Sequence, residues 1–186
     1  LRTASWPYHQ QLEKRLDIKR RFSERAAYAA HLARMWGFCA ALERSIDPNC
    51  FRFALPDFPQ RHKLSLLESD LGALGWSAAA IAQLPVCQGF AVSSDTAQAF
   101  GRLYVLEGAT LGGRTLLPPV EKHLGCTSRS GAAFLASYGD QVQSMWQRFG
   151  SALEAWCAGA ERIAQARVAA IDTFEQLELW LCGPQP

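Results

Sequence analysis

The sequence predicts an all-α fold, and three observations carry that prediction. Apolar residues recur at three- and four-residue steps in several long stretches, which is the period of a helix with one buried face. No stretch alternates apolar and polar residues with period two, so no sheet is expected. The chain has 186 residues, of which 49% are hydrophobic and 19% charged, an ordinary globular composition at a length that supports one proper core. Residues 1–186 are therefore expected to form a single domain.

Residues 7 to 18 read as the first helix, opened by Ser5 or Trp6, with Pro7 near its first turn, where proline is tolerated. Leu12 and Leu16 lie four apart, and His9, three before Leu12, shares their face. Glu13 follows His9 by four, which places a carboxylate within reach of Nδ1. Two readings of that pair stay open. It is a surface histidine near a surface glutamate, or a ligating histidine whose orientation and basicity a carboxylate fixes. Lys14, Arg15, Lys19, Arg20, Arg21 and Arg25 crowd the end of this helix, where positive charge is favoured by the helix dipole.

Ser23 and Glu24 open a second helix with Tyr28, Leu32, Met35, Phe38 and Leu42 as its core face. His31 within it is expected to be structural or exposed. Asp47-Pro48-Asn49 ends it. Phe51 to Gln60, with two prolines and three phenylalanines, reads as an irregular connection pinned by aromatic burial. Leu64 to Leu74 is a short amphipathic helix with Gly75 as its C-cap. Ser77 caps another that ends before Pro85. Ser93, Ser94 and Asp95 offer caps for a long helix from about Thr96. Pro118-Pro119 removes two amide donors and is expected to stop or bend that helix by Leu117. Thr127 to Gly131 reads as a loop and Ala132 to Tyr138 as a short helix. Two helices follow, Asp140 to Cys157 and Ala160 to Leu181. Their expected core residues are Val142, Met145, Trp146, Phe149 and Leu153, then Ile163, Val168, Ile171, Phe174, Leu177 and Leu181.

The long helix carries the most unusual composition in the chain. Gly108, Gly112 and Gly113 fall within six residues of an otherwise helix-forming run, and each costs a helix interior about 1 kcal/mol relative to alanine. Gly108 and Gly112, four apart, share a face with Tyr104 and Leu116. That face has a trough of bare backbone. It suits close packing on another helix, or a flat ligand lying against exposed amides and carbonyls.

A net charge of +2 gives no general attraction to nucleic acid or to a membrane surface. No apolar run approaches the roughly 18 residues of a membrane span, and no secretory leader pattern opens the chain. The six cysteines are scattered without a Cys-x-x-Cys pair, so free thiols and a cytoplasmic location are expected.

Several stretches together resemble one family. EGATLGGR, Glu107 to Arg114, is similar to the distal helix of haem oxygenases, and most of all to the bacterial type that makes biliverdin for bacteriophytochromes. LRTASWPYHQQLE at the N-terminus resembles that family's proximal helix. Trp36-Gly37-Phe38 with Glu43 resembles its second helix, and LLESDLGALG, Leu66 to Gly75, the next segment. Tyr138-Gly139, then Trp146 and Phe149, then FEQLELWL at Phe174 to Leu181, resemble its C-terminal half. The likeness runs nearly end to end.

The resemblance implies a helical domain with haem held between a proximal and a distal helix. His9 would be the iron ligand, with Glu13 beside it. Tyr104, Gly108, Gly112 and Gly113 would meet the haem, and Gly108 and Gly112 would also leave room for chemistry on the distal side. Arg148, beside Trp146 and Phe149, would meet a propionate. Haem would be both cofactor and substrate. Dioxygen and an external electron donor would be consumed, and biliverdin, carbon monoxide and ferrous iron released. A bacteriophytochrome would receive the bilin. Two departures stand out. Haem oxygenases commonly carry a carboxylate or hydroxyl just after the first glycine, where this chain has Ala109, leaving Thr110 or backbone groups to substitute. The other departure is Pro118-Pro119. A haem- or bilin-binding protein without turnover stays open. A di-iron enzyme needs Glu-x-x-His sets, and none occurs.

Overall fold

The computed structural model describes residues 1–184, and its regular structure there is helical. The α-helices are α1 (Arg2–Leu16), α2 (Ile18–Arg21), α3 (Arg25–Arg44), α4 (Leu64–Ala73), α5 (Ala78–Ala82), α6 (Thr96–Leu124), α7 (Ala133–Ala136), α8 (Val142–Trp156) and α9 (Ala160–Cys182). Among the described residues no strand forms; the β-type pairing is confined to isolated bridges such as Ile46 with Ser93. The 29-residue α6 is the axis of the molecule, packed on α9, α8 and α7, while α1 lies on α9 and α3 on α4.

Most local signals act as expected. Asp95 accepts from the Gln98 amide at 2.8 Å and starts α6, and Ser77 accepts from the Ala80 amide at 3.1 Å and starts α5. Gly75 follows α4 at φ 95°, a conformation that favours glycine. Tyr28, Leu32, Met35, Phe38 and Leu42 are buried. Phe51 meets Phe58 at a tilt and Phe100 edge-on, with centroids at 4.6 and 4.9 Å, and so pins the 51–60 connection, which holds a 3-10 turn at Phe58–Arg61. His31 is buried, and burial pushes its pKa down to about 3, which keeps it neutral. All six cysteines are unpaired.

α9 packs in a different phase from the one expected. Phe174, Leu177 and Leu181 are buried, but Val168 is 58% exposed, and Ile163 and Ile171 are only partly covered. The buried face of α9 uses Ala166 and Ala170 instead. The cause is the approach of α6. A Cβ built on Gly101 would lie 2.2 Å from the Ala166 carbonyl oxygen, so only small residues fit at that crossing.

Proline is accommodated twice where the sequence predicts a boundary. α1 begins at Arg2, not near Pro7, because the Leu1 carbonyl accepts from the Ala4 and Ser5 amides at 3.0 Å each. His9 therefore sits midway along α1. The expected stop of α6 at Leu117 is also absent, and the helix runs through Pro118 and Pro119 to Leu124. Both prolines are exposed, as are Arg114 and Thr115, whose carbonyls lose their amide partners, so water can take those positions. The continued helix carries Val120 and Leu124 into the core, at 1% and 7% exposure. Its end is closed by Gly125 at φ 65° and by Arg25, whose Nη1 donates to the Leu124 carbonyl at 2.8 Å.

An exposed interior proline that only removes a helix hydrogen bond is a stability defect. Pro119→Ala should therefore stabilise the protein by about 1–3 kcal/mol, seen as a higher urea midpoint with an unchanged slope. A lower midpoint would mean that the ring itself packs usefully.

Candidate functional site

Four helices line an open cavity of about 630 Å³. α1 contributes Arg2, Ser5, Trp6, His9, Leu12 and Glu13. α6 contributes Tyr104, Val105, Gly108, Ala109, Leu111 and Gly112. Gln143 and Trp146 come from α8, and Phe174 and Leu177 from α9. A groove of similar volume, about 660 Å³, lies along α9 near Arg102 and Asp172. Its lining includes three carboxylates and three glutamines and no imidazole, so it lacks the ligand donor that the first cavity holds.

On the α1 side the imidazole of His9 is fixed by aromatic contact. Trp6 stacks on it at 5.3 Å and 10°, and Phe174 meets it edge-on at 5.9 Å. Its Nδ1 is buried without a hydrogen-bond partner, and the Glu13 carboxylate stands 3.6 Å away, just beyond bonding distance. The pair predicted from the i, i+4 spacing thus exists as a contact and is not closed as a hydrogen bond. On the α6 side a Cβ built on Gly108 or Gly112 meets nothing within 4 Å. The trough faces the cavity, not another helix. Tyr104 and Trp146, with centroids at 5.6 Å, form the wall beside it.

Of the residues expected at the site, His9, Glu13, Tyr104, Gly108 and Gly112 come together, and Gly113 and Arg148 do not. Gly113 is buried against α7, where a Cβ would lie 2.5 Å from the Leu135 carbonyl oxygen. It is a packing glycine one residue round the helix from the trough. Arg148 does not line the cavity and donates to Asp57 at 3.2 Å. Thr110 cannot stand in for a polar side chain at Ala109, because its buried hydroxyl donates to the Glu107 carbonyl at 2.6 Å. The basic cluster after α1 is largely structural. Arg21 donates to the Leu16 and Leu181 carbonyls at 2.7 and 2.6 Å, and Arg15 pairs with Glu178. Arg2, Ser5 and Gln143 are lining residues that the sequence did not suggest. Arg2 and Ser5 were hidden by the misplaced start of α1.

Behind the trough lies a polar cluster that few local features of the chain announce. Glu107, Arg61 and Lys63 have side chains at most 1% exposed. The Glu107 carboxylate accepts from Arg61 through one oxygen and from the Tyr138 hydroxyl, at 2.6 Å, through the other. Lys63 Nζ lies 3.8 Å from that second oxygen, donates to Ser137 Oγ at 3.2 Å and sits 3.8 Å over the Tyr138 ring. Arg61 also grips Asp57 with two bonds of 2.9 Å and donates to the Met145 carbonyl at 3.2 Å. Burial pushes the Lys63 ammonium down to about 8, against the pull of Glu107. Burial also works to lower the Arg61 pKa, but the bond to Asp57 and the charge of Glu107 outweigh it and hold it above its ordinary value. A carboxylate between two helical apolar residues and a glycine is the one signal in the sequence that could have marked Glu107.

Among the described residues no group of three or more His, Cys, Asp and Glu side chains is gathered as a metal-ligand set, so the di-iron alternative has no donor cluster. Among the described residues no helix is long and apolar enough to cross a membrane.

No curated protein sequence matches the chain. Solved structures that share its fold include two bacterial haem oxygenases. One is a haem oxygenase from Neisseria meningitidis, determined with NO and CO bound, at TM-score 0.78 and 22% identity over 97% of this chain and 87% of that one. The other is a haem oxygenase from Leptospira interrogans, at TM-score 0.76 and 18% identity over 99% of this chain and 97% of that one. The family model described as "Heme oxygenase" matches residues 1–181, and the chain belongs to the haem oxygenase family.

Proposed function

We propose that this protein is a haem oxygenase that cleaves haem to biliverdin, carbon monoxide and ferrous iron, using dioxygen and electrons from an external donor. The observation that carries this reading is the opposition of His9, on α1, to the bare backbone of Gly108 and Gly112, on α6, across one cavity. A disc-shaped apolar ligand with an iron needs a neutral imidazole on one face and space on the other. Leu12, Val105, Phe174 and Leu177 supply apolar walls, and the unpartnered Nδ1 of His9 has Glu13 within a small movement. These residues fit the group.

When bound, haem would supply both the redox-active iron and the carbon skeleton that is oxidised. The chain's own residues position it and shape its surroundings. His9 Nε2 is the candidate iron ligand, and its ring orientation is already set by Trp6 and Phe174. Glu13, once in bonding range, would keep the proton on Nδ1 and raise the basicity of the ligating nitrogen. Gly108 and Gly112 keep side chains out of the far half of the cavity. Arg2 is the lining side chain with a fixed positive charge, suited to a propionate, whereas Arg148 is held by Asp57. Release of biliverdin to a bacteriophytochrome belongs to the same proposal and rests on the sequence resemblance alone.

One observation favours a second reading, a haem- or bilin-binding protein without turnover. Ala109 lines the cavity without a hydroxyl or carboxylate, and Thr110 is committed to the helix backbone. Ordering of water opposite His9 then falls to backbone groups and to Tyr104 or Gln143. Adding hemin and then reductant in air separates the two. Loss of the Soret band with growth of bilin absorption supports the enzyme. A stable complex supports the binding protein, and unsaturable absorbance changes sink both.

His9→Ala should leave a folded protein that still takes up some hemin by apolar burial. It should lose the imidazole-ligated spectrum and most turnover, and free imidazole should restore part of both. Glu13→Ala should cost about tenfold to hundredfold in activity or iron affinity. An unchanged spectrum in His9→Ala would assign the ligand elsewhere.

Gly112→Leu should block turnover while leaving the unfolding midpoint equal to or above that of the natural protein. Replacing a helical glycine is worth up to about 1 kcal/mol, and a Cβ added at Gly112 meets no neighbour within 4 Å. Gly113→Leu should instead unfold the α6–α7 contact. Full turnover in Gly112→Leu would show that the trough does not face the reacting ligand.

A further inference from the structure

We propose that Glu107 is a positioning residue for the cavity: its buried carboxylate, gripped by Arg61 and Tyr138, sets where the Gly108–Gly112 trough stands relative to the Trp146 wall. Two facts of placement support this. Glu107 immediately precedes Gly108, and the carbonyl that receives Arg61 is that of Met145, which immediately precedes Trp146. A single guanidinium therefore bridges the residue behind the trough and the residue behind the aromatic wall. Asp57 holds the other side of that guanidinium with two bonds, so its plane cannot rotate freely. Tyr138, between α7 and α8, fixes the second carboxylate oxygen.

Stability alone is a poor account of this cluster. Buried ion pairs carry a desolvation cost that often cancels their attraction, and well-packed apolar residues of similar volume do as well or better. Here Glu107, Arg61 and Lys63 are all buried, with two cations about one carboxylate. Apolar packing, by contrast, tolerates small slides, while a two-sided, hydrogen-bonded carboxylate admits one distance and one orientation. The cluster spans the 57–63 connection, α6, the segment after α7, and α8. Two of those, α6 and α8, carry the half of the cavity opposite His9.

Three variants test this: Tyr138→Phe, Glu107→Gln, and the paired Arg61→Met with Glu107→Leu, which removes both charges together. The first readout uses hemin-free protein and is the position of the Gly108 and Gly112 amide signals and the Trp146 indole signal in ¹H–¹⁵N spectra. The second is turnover, which depends on the proposed haem-oxygenase reading. Expected are displaced or broadened signals in every folded variant, with kcat down about tenfold to hundredfold and hemin affinity little changed. The paired variant, which still leaves Lys63 buried without its carboxylate, should recover only part of the urea midpoint that Glu107→Gln loses, and neither the signals nor kcat. If Glu107→Gln fails to fold, Tyr138→Phe and the paired variant decide. Signals that overlay the natural protein's in those two variants overturn the proposal, whatever the turnover. Displaced signals in a protein that binds hemin but never degrades it uphold the positioning role while removing the enzyme reading.

Discussion

The fold depends on how one helix is held. α6 is pinned at two glycines, where backbone meets backbone. At Gly101 an added methyl would strike the Ala166 carbonyl of α9, and at Gly113 it would strike the Leu135 carbonyl of α7. Between these pins lie Gly108 and Gly112, where an added methyl touches nothing. Four glycines on one helix thus do two opposite things. Two let neighbouring chain segments approach closely enough to fix the helix, and two keep the intervening face empty. Because Gly112 and Gly113 are adjacent, they point about 100° apart, so one faces the cavity and the other the core.

Holding a bare-faced helix still is harder than packing a full one, since the empty face offers no contacts. The structure compensates from behind. The Glu107 side chain reaches Arg61 and Tyr138, outside the helix. Lys63, pushed down to about 8 by burial, stays mostly charged at neutral pH because Glu107 lies near. Between about pH 8 and its unfolded value the unfolded chain binds more protons at this site than the folded one. Lys63 therefore disfavours folding less as the pH climbs through that window.

Much of this was legible in the sequence. Helix periodicity, the Asp95 and Ser77 caps and the Gly75 turn are local signals, and local signals place elements well. His9 with Glu13 and the glycine trough were readable because a helix places i and i+4 on one face. What failed was whatever depended on a neighbour. Pro118 and Pro119 read as a stop, yet exposed carbonyls and the burial of Val120 and Leu124 carry the helix onward. Val168 read as core, yet the tight Gly101–Ala166 crossing rotates it outward. Arg148 read as a propionate partner, yet Asp57, 91 residues earlier in the chain, holds it. Gly113 could be told from Gly112 only by knowing where α7 lies.

The two sides of the cavity are also built by opposite means, and the difference is informative. The α1 side is filled: Trp6 and Phe174 fix the imidazole in place, and Leu12 closes the wall. The α6 side is stripped. Gly108 and Gly112 each weaken the helix by about 1 kcal/mol and return no packing, no left-handed turn and no close crossing, since both sit in ordinary helix beside open space. Alanine at either position would strengthen the helix at no steric cost. A local rule broken without any structural gain is where function is expected. The gain here is room in the same cavity that the orientated imidazole of His9 lines, which a larger residue would remove and which no demand of the fold explains.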